Sequence, residues 1–437
     1  MKTCKYLFSN LFKRSFCFRS KILFVILAIG FFMAISTGKM VAQNTTEWPC
    51  FHGSDRTNKS AETGLAKAWP ATGPELLWTV TGLGEGYSAV SIGGGLLYTA
   101  GKSDDQTYVF CFDIKGKPIW KRPNGKTWST TLSWAVSYTG SRSTPTYDNG
   151  VLYHLSESGR LTAFDSKTGK EIWSRELAKD FNAEPPDYGY TESVLIDGDN
   201  LFVRPFGKKG FQVCLNKRTG ESVWINNEIP GSAGYNSMII KDYGGFRQII
   251  GASSNCFYSV DTRTGKLLWK VDFANERELN NTDAISFNEY VFFTSGYGKG
   301  SMLVKLNASA KGITTQPVWQ SDLMDNHHGG AILHNGFIYG SGNNSRGWFC
   351  LDFLTGKQMW KTEGKGSLTF ADGMLYLLDE RGTMKLVRAT ADKYEKAGEF
   401  KVPKGGDSMY WAHPVVCGAK LYIRQGDKLF AYNIREK

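Results

Sequence analysis

The chain has 437 residues, of which 41% are hydrophobic and 21% charged, so it is neither a disordered chain nor a polytopic membrane protein. Its formal net charge is +11, but residues 1–42 hold seven basic residues and no acidic one, and the remaining charge is too small to indicate a nucleic-acid partner. The 49 glycines, 13 Trp, 20 Tyr and 27 Phe favour many strands and turns over helices.

Residues 1–42 are predicted to be a signal peptide. A basic stretch precedes the apolar run from Ile22 to Ile35, which has the length of a signal h-region and is short for a membrane span of about 20 residues. Ala42 offers a small residue at a cleavage site. The sequence therefore predicts a periplasmic or secreted protein. The alternative is an uncleaved anchor, in which case the leader would be its contact with the membrane.

Residues 43–73 are predicted to form an N-terminal cap segment ahead of the main domain. Trp48, Phe51 and Trp69 would pin this segment against the domain, with its basic and polar residues facing outward.

A hairpin motif, D-x-x-T-G-x-x-x-W, recurs along the rest of the chain. It spans Asp165–Trp173, Asp261–Trp269 and Asp352–Trp360, and Asn216–Trp224 carries Asn in place of Asp; shortened and lengthened copies end at Trp120 and Trp319. The Asp or Asn starts a turn by bonding the backbone ahead, and the glycine takes a positive φ. The structural glycines in these turns are Gly169, Gly220, Gly265 and Gly356.

A second hairpin precedes each motif, so that each repeat has four strands. The tryptophans Trp78, Trp120, Trp173, Trp224, Trp269, Trp319 and Trp360, followed by Phe400, are spaced 40 to 53 residues apart. This spacing predicts an all-β, eight-bladed β-propeller over residues 74–437, with four-stranded antiparallel blades. Because the last repeat lacks its Trp strand, Pro74–Val80 is predicted to complete it and close the ring. A seven-bladed propeller and a WD40-type ring are the alternatives.

The cysteines divide into two groups. Cys111, Cys214 and Cys350 occupy one repeat position that Ala163 and Ser259 share, which indicates small buried groups in blades too far apart to be bridged. The sequence leaves a pairing open among the other three cysteines of the exported part, which are Cys50, Cys256 and Cys417.

The A-x-D-x-x-T-G-x-x-x-W hairpin resembles the tryptophan-docking repeat of the pyrroloquinoline-quinone (PQQ) propeller superfamily, which includes quinoprotein alcohol dehydrogenases and BamB-type outer-membrane assembly proteins. Compact exported PQQ-like β-propeller proteins are the most similar, through the stretches Trp48–Arg56, Gly189–Ser193, Asn326–Gly330 and Gly364–Thr369. The resemblance implies the fold, and it implies PQQ with Ca²⁺ as the cofactor of an enzymatic member. The sequence departs from many such enzymes because it has no adjacent Cys-Cys pair.

The loops that lead into the innermost strands of a propeller converge around its central channel, so candidate site residues were sought there. The catalytic candidates are Asp283, Glu192, His327 and His328. The candidates for binding a cofactor are Arg142, Tyr190, Asn236, Lys365, Trp411 and His413. The candidate oxygen donors for Ca²⁺ are Glu192, Asn281 and Asp283. Since neighbouring strand residues face opposite ways, His327 and His328 are predicted to point apart, one of them into the channel.

The sequence of these loops contains no recognisable combination of catalytic residues. It therefore favours a binding or scaffold module in the cell envelope. Its partner would be an envelope protein or a small polar ligand, and no nucleic acid is expected. The alternative is a PQQ- and Ca²⁺-dependent quinoprotein dehydrogenase of alcohols or sugars. A third hypothesis is carbohydrate binding by Tyr190, Tyr235 and Trp411.

Overall fold

The structure, a computed structural model, describes residues 47–436. The predicted signal peptide lies outside the described residues. Within the described residues, no helix has the length and apolar character needed to cross a membrane.

The described residues form 33 strands and one short helix, α1 (Leu177–Asp180). Two strands precede the repeats: β1 (Lys59–Ser60) and β2 (Glu75–Val80). Blade 1 contains β3 (Ser91–Gly93), β4 (Leu96–Ser103), β5 (Gln106–Asp113) and β6 (Pro118–Lys126), and blade 2 contains β7 (Thr146–Asp148), β8 (Val151–Leu155), β9 (Arg160–Asp165) and β10 (Glu171–Glu176). Blade 3 contains β11 (Leu195–Asp197), β12 (Asn200–Val203), β13 (Gln212–Asn216) and β14 (Ser222–Asn226), and blade 4 contains β15 (Ile239–Tyr243), β16 (Phe246–Ala252), β17 (Cys256–Asp261) and β18 (Leu267–Asp272).

Blades 5 to 8 continue the same pattern. Blade 5 contains β19 (Ile285–Phe287), β20 (Tyr290–Ser295), β21 (Gly300–Ser309) and β22 (Gly312–Ser321), and blade 6 contains β23 (Ala331–His334), β24 (Phe337–Ser341), β25 (Gly347–Asp352) and β26 (Gln358–Glu363). Blade 7 contains β27 (Gly366–Ala371), β28 (Met374–Asp379), β29 (Thr383–Arg388) and β30 (Lys396–Lys401), and blade 8 contains β31 (Val415–Cys417), β32 (Lys420–Gln425) and β33 (Lys428–Asn433). Blade 7 gains β1 as a fifth strand, parallel to β27.

The ring is closed by β2, which pairs antiparallel with β33 and completes blade 8. Trp78 lies opposite Ala431 in this pairing. Each of the eight sheets therefore has four meander strands, and the predictions of eight blades and of closure by the N-terminal strand are confirmed. Closure leaves no blade with an open face, since each packs between two neighbours.

Seven blades carry a tryptophan on the outer strand, and blade 7 carries Phe400 in its place; in most blades the tryptophan docks onto the next blade. Trp173 lies opposite the small residue Ala163, at a bulge in the β9–β10 pairing, and its indole Nε1 donates to Lys217 O of the next blade at 2.9 Å. Equivalent bonds run from Trp120 to Ser166 O, Trp224 to Thr262 O, Trp319 to Phe353 O and Trp360 to Thr390 O. The following turn presses its glycine on the indole: a Cβ on Gly220 would lie 2.8 Å from Trp173.

Two tryptophans depart from this pattern where the neighbouring turn differs in length. The lengthened β21–β22 hairpin follows Trp269, whose Nε1 instead donates to Gln248 Oε1 at 2.8 Å. The shortened turn at Gly116 follows Trp78, whose buried Nε1 finds no acceptor among the described residues.

The cysteine thiols of the described residues are buried. Cys50 and Cys256 are outside any disulfide, which removes every pairing that the sequence left open. Cys111 and Cys350 lie directly opposite Trp120 and Trp360, and burial raises the pKa of both thiols to about 12. These two thiols therefore stay protonated and act as small packing groups.

Candidate functional site

Residues 47–60, which we name the channel segment, bond to every blade of the ring. Main-chain hydrogen bonds join Trp48 to Ile92 of blade 1, Pro49 to Tyr147 of blade 2 and Asn58 to Phe370 of blade 7. Arg56 donates to Ser193 O and Met238 O, at the entrances of blades 3 and 4, and Lys59 donates to Leu333 O of blade 6. His52 contacts Asp283 and His413, at the entrances of blades 5 and 8. Because the innermost strands surround the axis, a segment that bonds all eight blades lies in the central channel. The prediction that its polar residues face outward is wrong for His52, Arg56 and Asn58, which are buried.

The channel segment is fixed by a chain of polar groups whose proton positions can be worked out. His413 Nε2 lies 2.8 Å from His328 O, and a carbonyl only accepts, so this nitrogen carries a proton. Burial, followed by the nearby His52, holds the pKa of His413 well below its usual range, so the ring is neutral and its Nδ1 accepts from His52 Nε2 at 3.0 Å.

The other nitrogen of His52 faces a carboxylate. His52 Nδ1 lies 3.2 Å from Asp283 Oδ2, and both side chains are 7% exposed. His52 Nε2 donates toward His413, so Nδ1 is the nitrogen that meets the carboxylate. Ser237 N donates to the other carboxylate oxygen at 2.6 Å. These buried polar contacts join the channel segment to blades 4, 5 and 8.

Polar and aromatic groups gather at one end of the ring, around what we name the mouth. It receives the loops that lead into the innermost strands and the turns that join the second strand of each blade to the third. Its residues are Tyr87, Tyr138, Arg142, Tyr188, Tyr235, Tyr297, His327, His328, Lys365, Glu380 and Trp411, all partly exposed. Four of these residues were not predicted: Tyr138 and Tyr188 lie in lead-in loops, and Tyr297 and Glu380 lie in turns between the second and third strands, which the prediction did not include.

Glu380 is the polar centre of one side of the mouth. Its Oε1 accepts from Trp411 Nε1 at 2.9 Å and lies 3.2 Å from Lys365 Nζ and 3.3 Å from His328 Nε2. Burial alone would raise the pKa of Glu380, but His328, Lys365 and Trp411 together lower it to about 2. The carboxylate is therefore ionised and already paired at neutral pH.

His327 and His328 lie in a bend rather than on a strand, and both rings face the mouth. Their Nδ1 atoms are 3.0 Å apart, so the prediction that they point apart is wrong. Burial lowers the pKa of both rings, which are neutral. Since His328 Nε2 faces Glu380, its Nδ1 accepts from His327, whose Nε2 then accepts from Tyr297 OH at 3.1 Å. The result is a directed hydrogen-bond chain from Tyr297 to His328, whose Nε2 lies 3.3 Å from Glu380 Oε1.

Arg142 is a second cation of the mouth, beside Tyr87, Tyr138 and Tyr188. It donates to Tyr188 O at 2.7 Å and to Tyr138 O, and its guanidinium lies 5.7 Å from the Tyr87 ring centroid. Burial lowers its pKa. Within the described residues it makes no ion pair, and three of its five N–H groups make no hydrogen bond.

Three predicted candidates lie inside the blades rather than at the mouth. Glu192 is 2% exposed and pairs with the fully buried Arg204, whose Nε lies 2.7 Å from Glu192 Oε2. Arg204 Nη1 donates to Asn236 Oδ1 at 2.8 Å. Tyr190 is a core residue whose hydroxyl bonds Pro205 O. These groups hold blades 3 and 4 together.

The donor set does not fit a Ca²⁺–PQQ pair. Calcium needs six to eight oxygen ligands, at least some of them carboxylates. The carboxylate of Glu192 is neutralised by Arg204 and that of Asp283 faces His52, which leaves Asn281, with its buried unpartnered Oδ1. In the part of the chain that the structure describes, no three His, Cys, Asp or Glu side chains form a group able to hold a metal.

A Ser–His–Asn arrangement lies below the mouth, but its protons point the wrong way for nucleophilic catalysis. Asn124 Nδ2 lies 2.8 Å from His154 Nδ1, and Thr162 Oγ1 donates to Asn124 Oδ1, which fixes the amide with its nitrogen toward the ring. His154 Nε2 therefore carries the proton and donates to Ser141 Oγ at 3.3 Å. Burial lowers the pKa of His154 to about 3, so it stays neutral. The arrangement is structural.

The comparisons with known proteins agree with this architecture. BamB of Moraxella catarrhalis superposes with a TM-score of 0.60 at 15% identity, covering 83% of this chain and 98% of that one. The quinohemoprotein alcohol dehydrogenase of Comamonas testosteroni superposes with a TM-score of 0.61 at 12% identity, and the match covers 90% of this chain and 81% of that one. At these identities the likeness shows the β-propeller fold alone; the class, a PQQ-like β-propeller, is shown by the sequence matches.

The family follows from the sequence comparison. A family model described as "Outer membrane protein assembly factor BamB" matches residues 105–362, more than half of the chain, and the protein belongs to this family. Among curated relatives, the quinoprotein ethanol dehydrogenase of Pseudomonas putida is 29% identical over 35% of this chain and 27% of its own length. BamB of Shewanella oneidensis is 24% identical over 42% of this chain and 46% of its own length. The chain thus spans less than half the length of these relatives.

Proposed function

We propose that this protein is a binding or scaffold module of the cell envelope, and that it presents the mouth of the ring to its partner. One observation carries the proposal: the channel segment occupies the channel and bonds all eight blades. The groups that could serve a cofactor there, Asp283 and His413, are engaged by His52. The partly exposed mouth is then the surface that recognises the partner.

The relatives support a location in the envelope, since two BamB proteins match this chain in sequence or fold. The alternative of a PQQ- and Ca²⁺-dependent dehydrogenase has similar relatives but an unsuitable donor set. We therefore propose that the protein is periplasmic or secreted, retained by its leader if the leader is uncleaved, and that it acts by binding.

The proposal is tested by crosslinking in cells followed by recovery of the tagged protein from envelopes. We expect a component that is crosslinked to the parent chain and lost with the mouth variant Trp411→Ala, provided that the variant keeps its circular dichroism spectrum and melting temperature. Phe287→Ala serves as the matched control, because Phe287 is 51% exposed at a turn on the opposite end of the ring.

A second measurement addresses the enzymatic alternative. The purified protein is incubated with PQQ and Ca²⁺, passed through gel filtration, and assayed for dye reduction with alcohols and sugars. We expect no retained quinone absorbance and no turnover above the protein-free rate. Retained quinone with turnover, together with no mouth-dependent crosslink, overturns the proposal.

A further inference from the structure

The mouth carries six aromatic side chains from separate parts of the ring. Five come from loops that lead into blades 1, 2, 3, 4 and 8, and one from a turn within blade 5: Tyr87, Tyr138, Tyr188, Tyr235, Trp411 and Tyr297. All six are partly exposed, in contrast to the buried tyrosines of the blades. The blades need none of these rings for docking, since each already has its own tryptophan or Phe400.

The aromatic side chains form two platforms with Arg142 between them. On one side, the Trp411 ring centroid lies 5.3 Å from that of Tyr87 and 5.4 Å from that of Tyr138. On the other side, Tyr188 and Tyr235 meet edge to face at 5.6 Å. The platforms therefore present ring faces and edges around a cation that holds them through backbone carbonyls.

The backbone under the mouth is strained at two of these aromatics. Tyr235 has φ +72° and Tyr297 has φ +58°, in the left-handed region that bulky side chains rarely adopt. Such strain costs of order 1–3 kcal/mol per residue and persists only where the surrounding structure holds the backbone in place. The strain is an observation independent of the aromatic contacts.

The phenol groups of the mouth are neutral hydrogen-bonding groups. Burial raises the pKa of Tyr87, Tyr188, Tyr235 and Tyr297, so each stays protonated at any physiological pH. The hydroxyls of Tyr87 and Tyr188 make no hydrogen bond within the described residues, and neither is sealed from solvent. They can both donate to and accept from a ligand.

The mouth carries one cation that no carboxylate offsets. Lys365 and Glu380 are paired, His327 and His328 are neutral, and Arg142 donates to two backbone carbonyls and forms no ion pair within the described residues. A cationic ligand is therefore disfavoured, and the remaining N–H groups of Arg142 can donate to ligand oxygens. Flat aromatic faces beside planar polar groups instead suit a ring with an apolar C–H face and hydroxyl groups at its edge.

We infer that the mouth binds a neutral saccharide, with the Tyr188–Tyr235 platform against the sugar face and Arg142 donating to its hydroxyl groups. This inference rests on the proposed binding function and names the chemistry of the ligand. It requires no bond to form or break.

The test is isothermal titration calorimetry of the full exported chain with maltohexaose, cellohexaose and tetra-N-acetylchitotetraose. We expect saturable heat with at least one of these, weakened about tenfold or more by Tyr188→Ala, which removes about 1.4 kcal/mol or more of stacking. Phe287→Ala should leave the affinity unchanged. Saturation-transfer difference NMR on the same pairs should show the sugar C–H protons against the aromatic rings.

Several outcomes overturn the inference. Binding of none of the three oligosaccharides at millimolar concentration does so, as does binding that a folded Tyr188→Ala variant retains in full. Binding of polygalacturonate or of an acidic peptide in their place would assign the mouth to anions through Arg142. A mouth-dependent envelope crosslink with no saccharide binding refutes this inference and leaves the proposed function standing.

Discussion

His52 Nε2 lies 3.0 Å from His413 Nδ1, and this contact ties the start of the described chain to the entrance of its last blade. The two residues are 361 positions apart in sequence. His52 Nδ1 in turn lies 3.2 Å from Asp283 Oδ2, so buried polar contacts occupy the centre of the ring in place of an open channel.

Removing the carboxylate at the centre of these contacts should destabilise the protein. Asp283→Asn replaces the buried group that accepts from Ser237 N and faces His52 Nδ1 with an amide, and we expect a loss of about 2 kcal/mol in the free energy of unfolding. The measurement is urea denaturation at pH 7 followed by fluorescence. The matched control is Asp199→Asn in the exposed Arg218–Asp199 pair, which should cost less than about 1 kcal/mol. Equal losses for the two variants would refute a stabilising role for the buried Asp283 contacts.

His154 should make the fold sensitive to mild acid. Its pKa is lowered to about 3 by burial, whereas in the unfolded chain it titrates near 6.5. Between these values the unfolded state binds the additional proton, so the stabilising effect is present in full above about pH 6.5 and declines as the pH falls toward 3. At pH 4.5 we expect roughly 3 kcal/mol less stability from this residue alone.

His154→Gln provides the test of that pH dependence. The amide keeps a polar group near Ser141 and cannot titrate, so melting temperatures of the variant should fall less between pH 7 and pH 4.5 than those of the parent chain. Parallel pH profiles for the two proteins would contradict the assignment of a neutral buried imidazole.

The docking bond of the tryptophans can be isolated by comparing two blades. Trp173→Phe removes the bond from Nε1 to Lys217 O and leaves a carbonyl without its donor. In Trp78→Phe the indole loses an N–H that has no acceptor among the described residues. We expect Trp173→Phe to be more destabilising by about 1 kcal/mol, measured by chemical denaturation. The opposite order would show that ring packing alone docks the blades.

The turn glycines offer a second matched comparison. Gly169 has φ +68° and its added Cβ would lie 2.7 Å from the Trp120 ring, whereas Gly150 has φ +87° with nothing within 4 Å. Gly150→Ala should cost about 1 kcal/mol from backbone strain, and Gly169→Ala about 2–3 kcal/mol because the overlap adds to it. Thermal melts of the two variants decide whether contact with the indole matters.

The fold could be predicted because its signal is repeated. Asp165, Gly169 and Trp173 stand at fixed spacing, and copies of this local pattern recur around the ring. The missing Trp strand of the last repeat, together with the unassigned strand at Trp78, indicated closure. Each of these inferences depends on local turn geometry and on strand alternation, which act over a few residues.

The candidate site was predicted only in part. Arg142, Lys365 and Trp411 lie at the mouth as partly exposed groups, whereas Glu192 turned out to pair with Arg204 inside the blades. No local pattern distinguishes a carboxylate at a loop end that faces solvent from one that meets a cation of the adjacent strand. Glu380 could have been found by treating the turns between second and third strands as part of the same end of the ring.

The sequence by itself determined the blade, the number of blades and the way the ring closes, because these follow from short-range turn chemistry repeated along the chain. Only the tertiary structure decided that residues 47–60 occupy the channel, that His52 meets Asp283, and that His327 and His328 face the same way. Those contacts join residues far apart in sequence, and their energies depend on burial and partner geometry, which exist once the ring has formed.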